Sequence, residues 1–95
     1  MTAELVALAA RIREELEELA RLVQRAETLA GKARATGDDG YWDGVALNLH
    51  GYYGGIERIL EMIAREIDGS LPQGRFWHRD LLMQMSAELP GRRPA

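Results

Sequence analysis

From Leu5 to Ala33 the apolar side chains recur at steps of three and four: Leu5, Leu8, Ile12, Leu16, Leu19, Val23, Ala26, Ala30 and Ala33. Glu and Arg fill the opposite face, so the pattern predicts an amphipathic helix over about residues 3 to 36. Thr2 is placed to cap its start, Glu4 suits the first turn, and Gly37 followed by Asp38-Asp39-Gly40 supplies a stop and a turn. A second series, Val45, Leu49, Tyr52, Ile56, Ile59, Ile63 and Ile67, predicts another helix near residues 42 to 68, ended by Gly69. Two helices joined by a short polar turn pack as an antiparallel hairpin with their apolar stripes face to face. After a loop at Ser70-Leu71-Pro72-Gln73-Gly74, the stretch Phe76 to Ser86 predicts a third, shorter helix through Trp77, Leu81, Leu82 and Met85.

The expected fold is therefore all-α: a two-helix hairpin plus a short third helix, one domain over residues 1–89. Residues 90–95, Pro-Gly-Arg-Arg-Pro-Ala, read as a flexible tail or truncated linker. Three helices leave one side of a bundle open, which predicts completion by dimerisation, by further C-terminal helices, or by both. A chain of 95 residues also buries only a modest share of its surface alone, so self-association would stabilise it.

Helix 2 contains Gly44, Gly51, Gly54 and Gly55, although each interior glycine costs about 1 kcal/mol against alanine. Gly51 and Gly55 lie four apart on one face, where another backbone can approach closely. Two occupants fit: helix 1 of the same chain, in an ordinary packing notch, or a second copy, in a dimer seam.

Composition narrows the chemistry. There is no cysteine, hence no disulfide, thiolate metal site or cysteine nucleophile. No apolar run is long enough to span a membrane, and the start lacks a signal-peptide layout, so a cytoplasmic protein with no membrane partner is expected. The net charge of −3 is unevenly spread. The first 37 residues are neutral, residues 38–74 hold seven acids against Arg58 and Arg65, and Arg75, Arg79, Arg92 and Arg93 follow. That is a poor footprint for nucleic acid, whose binders carry a basic face.

Candidate catalytic groups are few. His50 lies one step off the apolar stripe and reads first as a half-buried residue hydrogen-bonded to a neighbour. The positions three and four residues either side of it hold Ala46, Leu47, Tyr53 and Gly54, so no metal is expected there. His78 and Arg79 are the other weak candidates, but adjacent helical residues point about 100° apart and do not converge on one phosphate. Glu17 and Glu18 with Arg21 read as a solvated face. No phosphate-binding glycine loop, nucleophile elbow or calcium loop is present, and no cofactor is expected.

Three pieces in order, Asn48-Leu49-His50-Gly51-Tyr52-Tyr53-Gly54-Gly55-Ile56-Glu57-Arg58-Ile59, Glu66-Ile67-Asp68-Gly69-Ser70-Leu71-Pro72 and Trp77-His78-Arg79-Asp80-Leu81-Leu82, resemble the front half of HepT-like proteins, within the HEPN group of helical bundles. The resemblance implies the toxin of a toxin–antitoxin pair: a dimeric, metal-independent ribonuclease, partnered by a nucleotidyltransferase antitoxin that attaches AMP to a tyrosine. The family motif is an arginine, four to six residues, a histidine, one residue and a tyrosine. His50-Gly51-Tyr52 matches its second half, with Tyr52 as the AMP-acceptor look-alike, but Asp43, Gly44 and Val45 stand where the arginine belongs. Such relatives are expected to carry the full motif on a later helix, beyond a linker like Gly91-Arg92-Arg93-Pro94-Ala95. By this reading the chain is a catalytically incomplete fragment or short relative, and RNA is a partner only of a longer form. The alternative is a non-enzymatic helical dimerisation or protein-interaction module.

Overall fold

The computed structural model of the protein describes residues 2–95. It is all-α: helix α1 spans Ala3–Thr36, α2 spans Gly40–Ile63 and runs on through a wide π-type turn at Ala64–Asp68, and α3 spans Trp77–Ser86. The fold class expected from the periodicity holds, element by element.

Local chemistry sets the ends. The Leu5 amide donates to the Thr2 hydroxyl at 3.2 Å, and Gly37, at φ 72°, closes α1 by donating to the Ala33 carbonyl. The α1–α2 turn is tight because two side chains serve it. The Thr36 hydroxyl accepts the Asp38 amide, and the Asp38 carboxylate accepts the Gly40 amide at 2.8 Å. That second bond lets α2 begin at Gly40, two residues before the expected Trp42. At the other end Gly69, also at φ 72°, donates to the Ala64 carbonyl, widening the last turn where the pattern predicts only a continued helix. Ala64 at that turn is fully buried.

Packing of α1 on α2 is the main event, and glycines set its register. A Cβ placed on Gly44, Gly51 or Gly55 would meet Leu29, Leu22 and Leu19 of α1 at 2.8, 3.5 and 2.4 Å. The partners descend as the glycines ascend, as an antiparallel pair requires. The close-packing partner of Gly51 and Gly55 is therefore helix α1 of the same chain. The bidentate Arg58–Glu15 pair (3.2 and 3.3 Å) and the looser Arg11–Glu66 pair (3.6 Å) tie the same two helices along one exposed edge.

The core consists of Leu8, Leu19, Ala26, Leu29, Ala33, Ile59, Ala64 and Leu81. Leu5, Leu16 and Val23, which share the sequence stripe, stay exposed. The stripe is wider than the single neighbour that α2 provides, so its flank has nothing to pack on.

The C-terminal segment makes contacts that a flexible tail would not. Arg93 donates to both carboxylate oxygens of Asp68 at 2.6 and 2.7 Å and to the Gln84 and Ala87 carbonyls, with its side chain 8% and that of Asp68 3% exposed. Arg92 donates to the Ile67 carbonyl at 3.0 Å. This clasp joins the end of α2, the end of α3 and the last residues. A Pro-Gly-Arg-Arg-Pro composition does not reveal it, because the acceptor lies 25 residues away in sequence.

Candidate functional site

Helix α3 docks across α2 through Leu81, which is 1% exposed, and leaves a cleft of about 410 Å³ between its N-terminal end and the middle of α2. From α2 come His50, Tyr53, Gly54, Glu57 and Glu61, one turn after another along a single face. From α3 come Trp77 and His78. The fold thus brings the only two histidines of the chain to one cleft, across 28 residues of sequence.

Their surroundings differ. The His78 Nδ1 pairs with the Glu57 carboxylate, and its ring stacks against Trp77 with centroids 3.5 Å apart. The second carboxylate, Glu61, has no ion-pair partner among the described residues. His50 lies exposed on the rim, with no hydrogen bond to its ring among the described residues, which corrects its reading as a half-buried, satisfied histidine.

The remaining candidates lie elsewhere. Tyr52 faces the other side of α2, in a groove with Leu16, Val23 and Ile56. Residues two apart on a helix point about 200° from one another, so His50 and Tyr52 do not share a site. Tyr53 is the tyrosine beside the histidines. Arg79 pairs with Asp80 at 3.6 Å and lies 4.8 Å from the Phe76 ring centroid, outside the cleft. Gly51 and Gly55 face α1, as described. No group of three or more His, Cys, Asp or Glu among the described residues is arranged to hold a metal ion.

Tyr53, Glu57, Glu61 and Trp77 are the members that sequence reasoning missed. A signal existed for three of them: Tyr53, Glu57 and Glu61 follow His50 at steps of three, four and four. Trp77 needed the docking angle of α3, which no periodicity supplies.

Hydrogen bonds from Arg93 hold the Asp68 carboxyl below its ordinary value, against the opposing effect of burial and with help from the Gln84 amide.

An all-α hairpin with a short docked helix and a two-histidine cleft defines the class: a small helical bundle of the kind to which the three sequence pieces pointed. A family model described as HepT-like protein matches residues 44–95, just over half of the chain, and the chain belongs to that family. The match takes in α2 from Gly44 on, α3 and the clasp, extending past the resemblance read from sequence to the last residue. Neither a curated protein nor a solved structure matches the chain. No helix among the described residues is long and apolar enough to cross a membrane.

Proposed function

We propose that this chain is the toxin-side member of a toxin–antitoxin pair and that its described residues work by association, with a second copy and with a nucleotidyltransferase antitoxin, rather than by cutting RNA. Membership of the HepT-like family supports the first part. The observation that carries the second is an uncovered apolar face. Leu16 (52% exposed) and Val23 of α1 flank Tyr52 and Ile56 of α2. Beyond Ile56 apolar surface continues through Leu60 to Leu82 of α3, 58% exposed.

The whole-chain surface agrees with this. The chain exposes 6748 Å², whereas a compact monomer of its mass exposes about 5,500 Å² by the usual scaling. Its radius of gyration of 16.9 Å likewise exceeds the roughly 12 Å of a compact domain this long. The excess surface is of the order of the ~800 Å² that each partner contributes to a standard interface. A face with few charges suits self-apposition, because an isologous contact places like against like.

Sedimentation equilibrium tests the reading: the wild type is expected near twice the 10.6 kDa chain mass, and Leu16→Glu or Leu82→Glu near one. Both sites are exposed, so folding survives the change. A wild type that stays monomeric at tens of micromolar refutes self-association through this face, and failure to co-purify with a co-expressed nucleotidyltransferase refutes that partner.

A second reading, a metal-independent ribonuclease, has one observation in its favour: His50 and His78 share a cleft. Cleavage at the 2′-hydroxyl needs a base and also a cation for the charge developing on phosphate. The cleft supplies imidazoles but adds Glu57 and Glu61, which repel that phosphate. RNA cleavage by the purified chain that disappears in both His50→Ala and His78→Ala would establish this reading over the first.

A further inference from the structure

Of the four glycines inside α2, Gly44 and Gly55 are explained by leucines of α1, and Gly51 lies on Leu22 at ordinary contact distance. Gly54 lies against no leucine of α1. A Cβ there would meet only the tip of Arg58, at an ordinary 3.7 Å. Interior helical glycine costs about 1 kcal/mol against alanine, and nothing in the chain requires it at this position. Gly54 does line the cleft, where its missing side chain leaves room for an occupant to approach the helix backbone.

The walls define what that occupant is. Tyr53, 67% exposed, and Trp77 offer aromatic surface. Glu57 and Glu61 stand one helical turn apart, and Glu61 has no cation of its own among the described residues. No lysine or arginine lines the cleft; its imidazoles are those of His50 and of His78, the latter engaged by Glu57. Arg58 is committed to Glu15 and Arg79 to Asp80, both outside. Aromatic faces beside carboxylates attract organic cations, and the planar, weakly hydrated guanidinium fits them better than a compact ammonium. At about 410 Å³ the cleft falls within the size range of ligand sites.

We propose that the cleft between α2 and α3 receives an arginine side chain of a partner protein, held between Tyr53 and Trp77 with its guanidinium on Glu61 and its stem over Gly54. The proposal rests on the cleft alone and not on the place of the chain in a toxin–antitoxin pair. An arginine reader and a phosphate site make opposite demands on the same residues, so the two are separable by experiment.

The test is an NMR titration of the full, 15N-labelled chain with N-acetyl-arginine methylamide, its lysine counterpart, and inorganic phosphate. The indole N–H of Trp77 and the amide of Gly54 report on the cleft, and the Trp42 indole is the internal control. Saturable shifts at Trp77 and Gly54 with the arginine compound, weaker ones with lysine and none with phosphate are expected. Glu61→Gln is expected to weaken arginine binding about fivefold, the upper range for a partly exposed ion pair. Gly54→Ala is expected to raise thermal stability while weakening binding severalfold, whereas Gly31→Ala, on an open face of α1, raises stability and leaves binding unchanged. Phosphate shifting the cleft where arginine does not, equal shifts at Trp42, or equal affinity in Glu61→Gln or Gly54→Ala overturns the proposal. Lysine binding as well as arginine overturns the guanidinium assignment.

Discussion

Alanine at each of the five glycines interior to the hairpin's helices removes the same backbone penalty, about 1 kcal/mol, but adds a methyl group to five different surroundings. At Gly31 the methyl meets nothing within 4 Å, and at Gly54 only the movable end of Arg58. Both variants keep the full gain. At Gly51 the methyl rests on Leu22 at 3.5 and 3.7 Å, ordinary contact, so Gly51→Ala also stabilises. Gly44 is intermediate: one terminal carbon of Leu29 at 2.8 Å must move while the rest of that side chain is 3.8 Å away, which offsets the gain to near zero.

Gly55→Ala is the opposite case. Its methyl would fall 2.4 Å from Leu19 Cδ2 and 3.4 Å from Leu19 Cγ, so the whole side chain must turn, and Leu19 is only 5% exposed. Overpacking of this kind costs about 1–3 kcal/mol, leaving a net loss of up to roughly 2 kcal/mol after the helical gain. In a domain of this size 1 kcal/mol moves Tm by about 4–8 °C. Thermal unfolding followed by circular dichroism at fixed protein concentration therefore ranks Gly31→Ala, Gly54→Ala and Gly51→Ala above wild type, with Gly44→Ala close to it and Gly55→Ala below. A Gly55→Ala protein as stable as Gly54→Ala would refute the intrachain notch. So would a change of oligomer size in Gly51→Ala or Gly55→Ala without a change in stability, which would return these glycines to a seam between copies.

The clasp predicts a pH signature. The Asp68 carboxyl titrates below its unfolded value, so the stability it contributes is present above about pH 4 and lost as pH falls through the lower folded value. Asp68→Asn is expected to flatten the loss of stability below pH 4, and Arg93→Lys, which cannot make the two-pronged contact, to lower Tm at neutral pH; identical acid melting curves for wild type and Asp68→Asn would refute the linkage. Leu81, at 1% exposure the side chain that docks α3, is expected to cost about 2–5 kcal/mol on change to alanine, read by urea unfolding. His50→Ala, exposed and unbonded, is expected to leave Tm unchanged within about 0.5 kcal/mol equivalent. A large loss would show that His50 is structural.

How much of this could be read beforehand follows from the range of each interaction. The helices, their caps at Thr2 and Gly37 and the stop at Gly69 depend on neighbours within a few residues, and periodicity exposes them. The start of α2 moved by two residues because a single side-chain bond, Asp38 to the Gly40 amide, competes with the propensity of Gly40 and Tyr41. The exposed flank of α1 was invisible, since a stripe shows that a face is apolar but not how many neighbours share it. The clasp and the cleft were invisible for a different reason: Asp68 with Arg93, and Glu57 with His78, are pairings across 25 and 21 residues that only docking of α3 creates.

The His50-Gly51-Tyr52 look-alike shows what spacing alone is worth. In a helix that spacing sends the histidine to one side and the tyrosine to the other, and here the two lie in different grooves. The tyrosine that meets His50 is the next one along, and what meets them across the gap is Trp77 and His78 rather than an arginine. Glu57, Glu61 and Trp77 make the cleft more acidic and more aromatic and less suited to a phosphate. Geometry and charge thus agree with one another and disagree with the motif. The cleft is built to attract a positive side chain, and arginine titration of Trp77 decides between that and a nucleic-acid substrate in a single experiment.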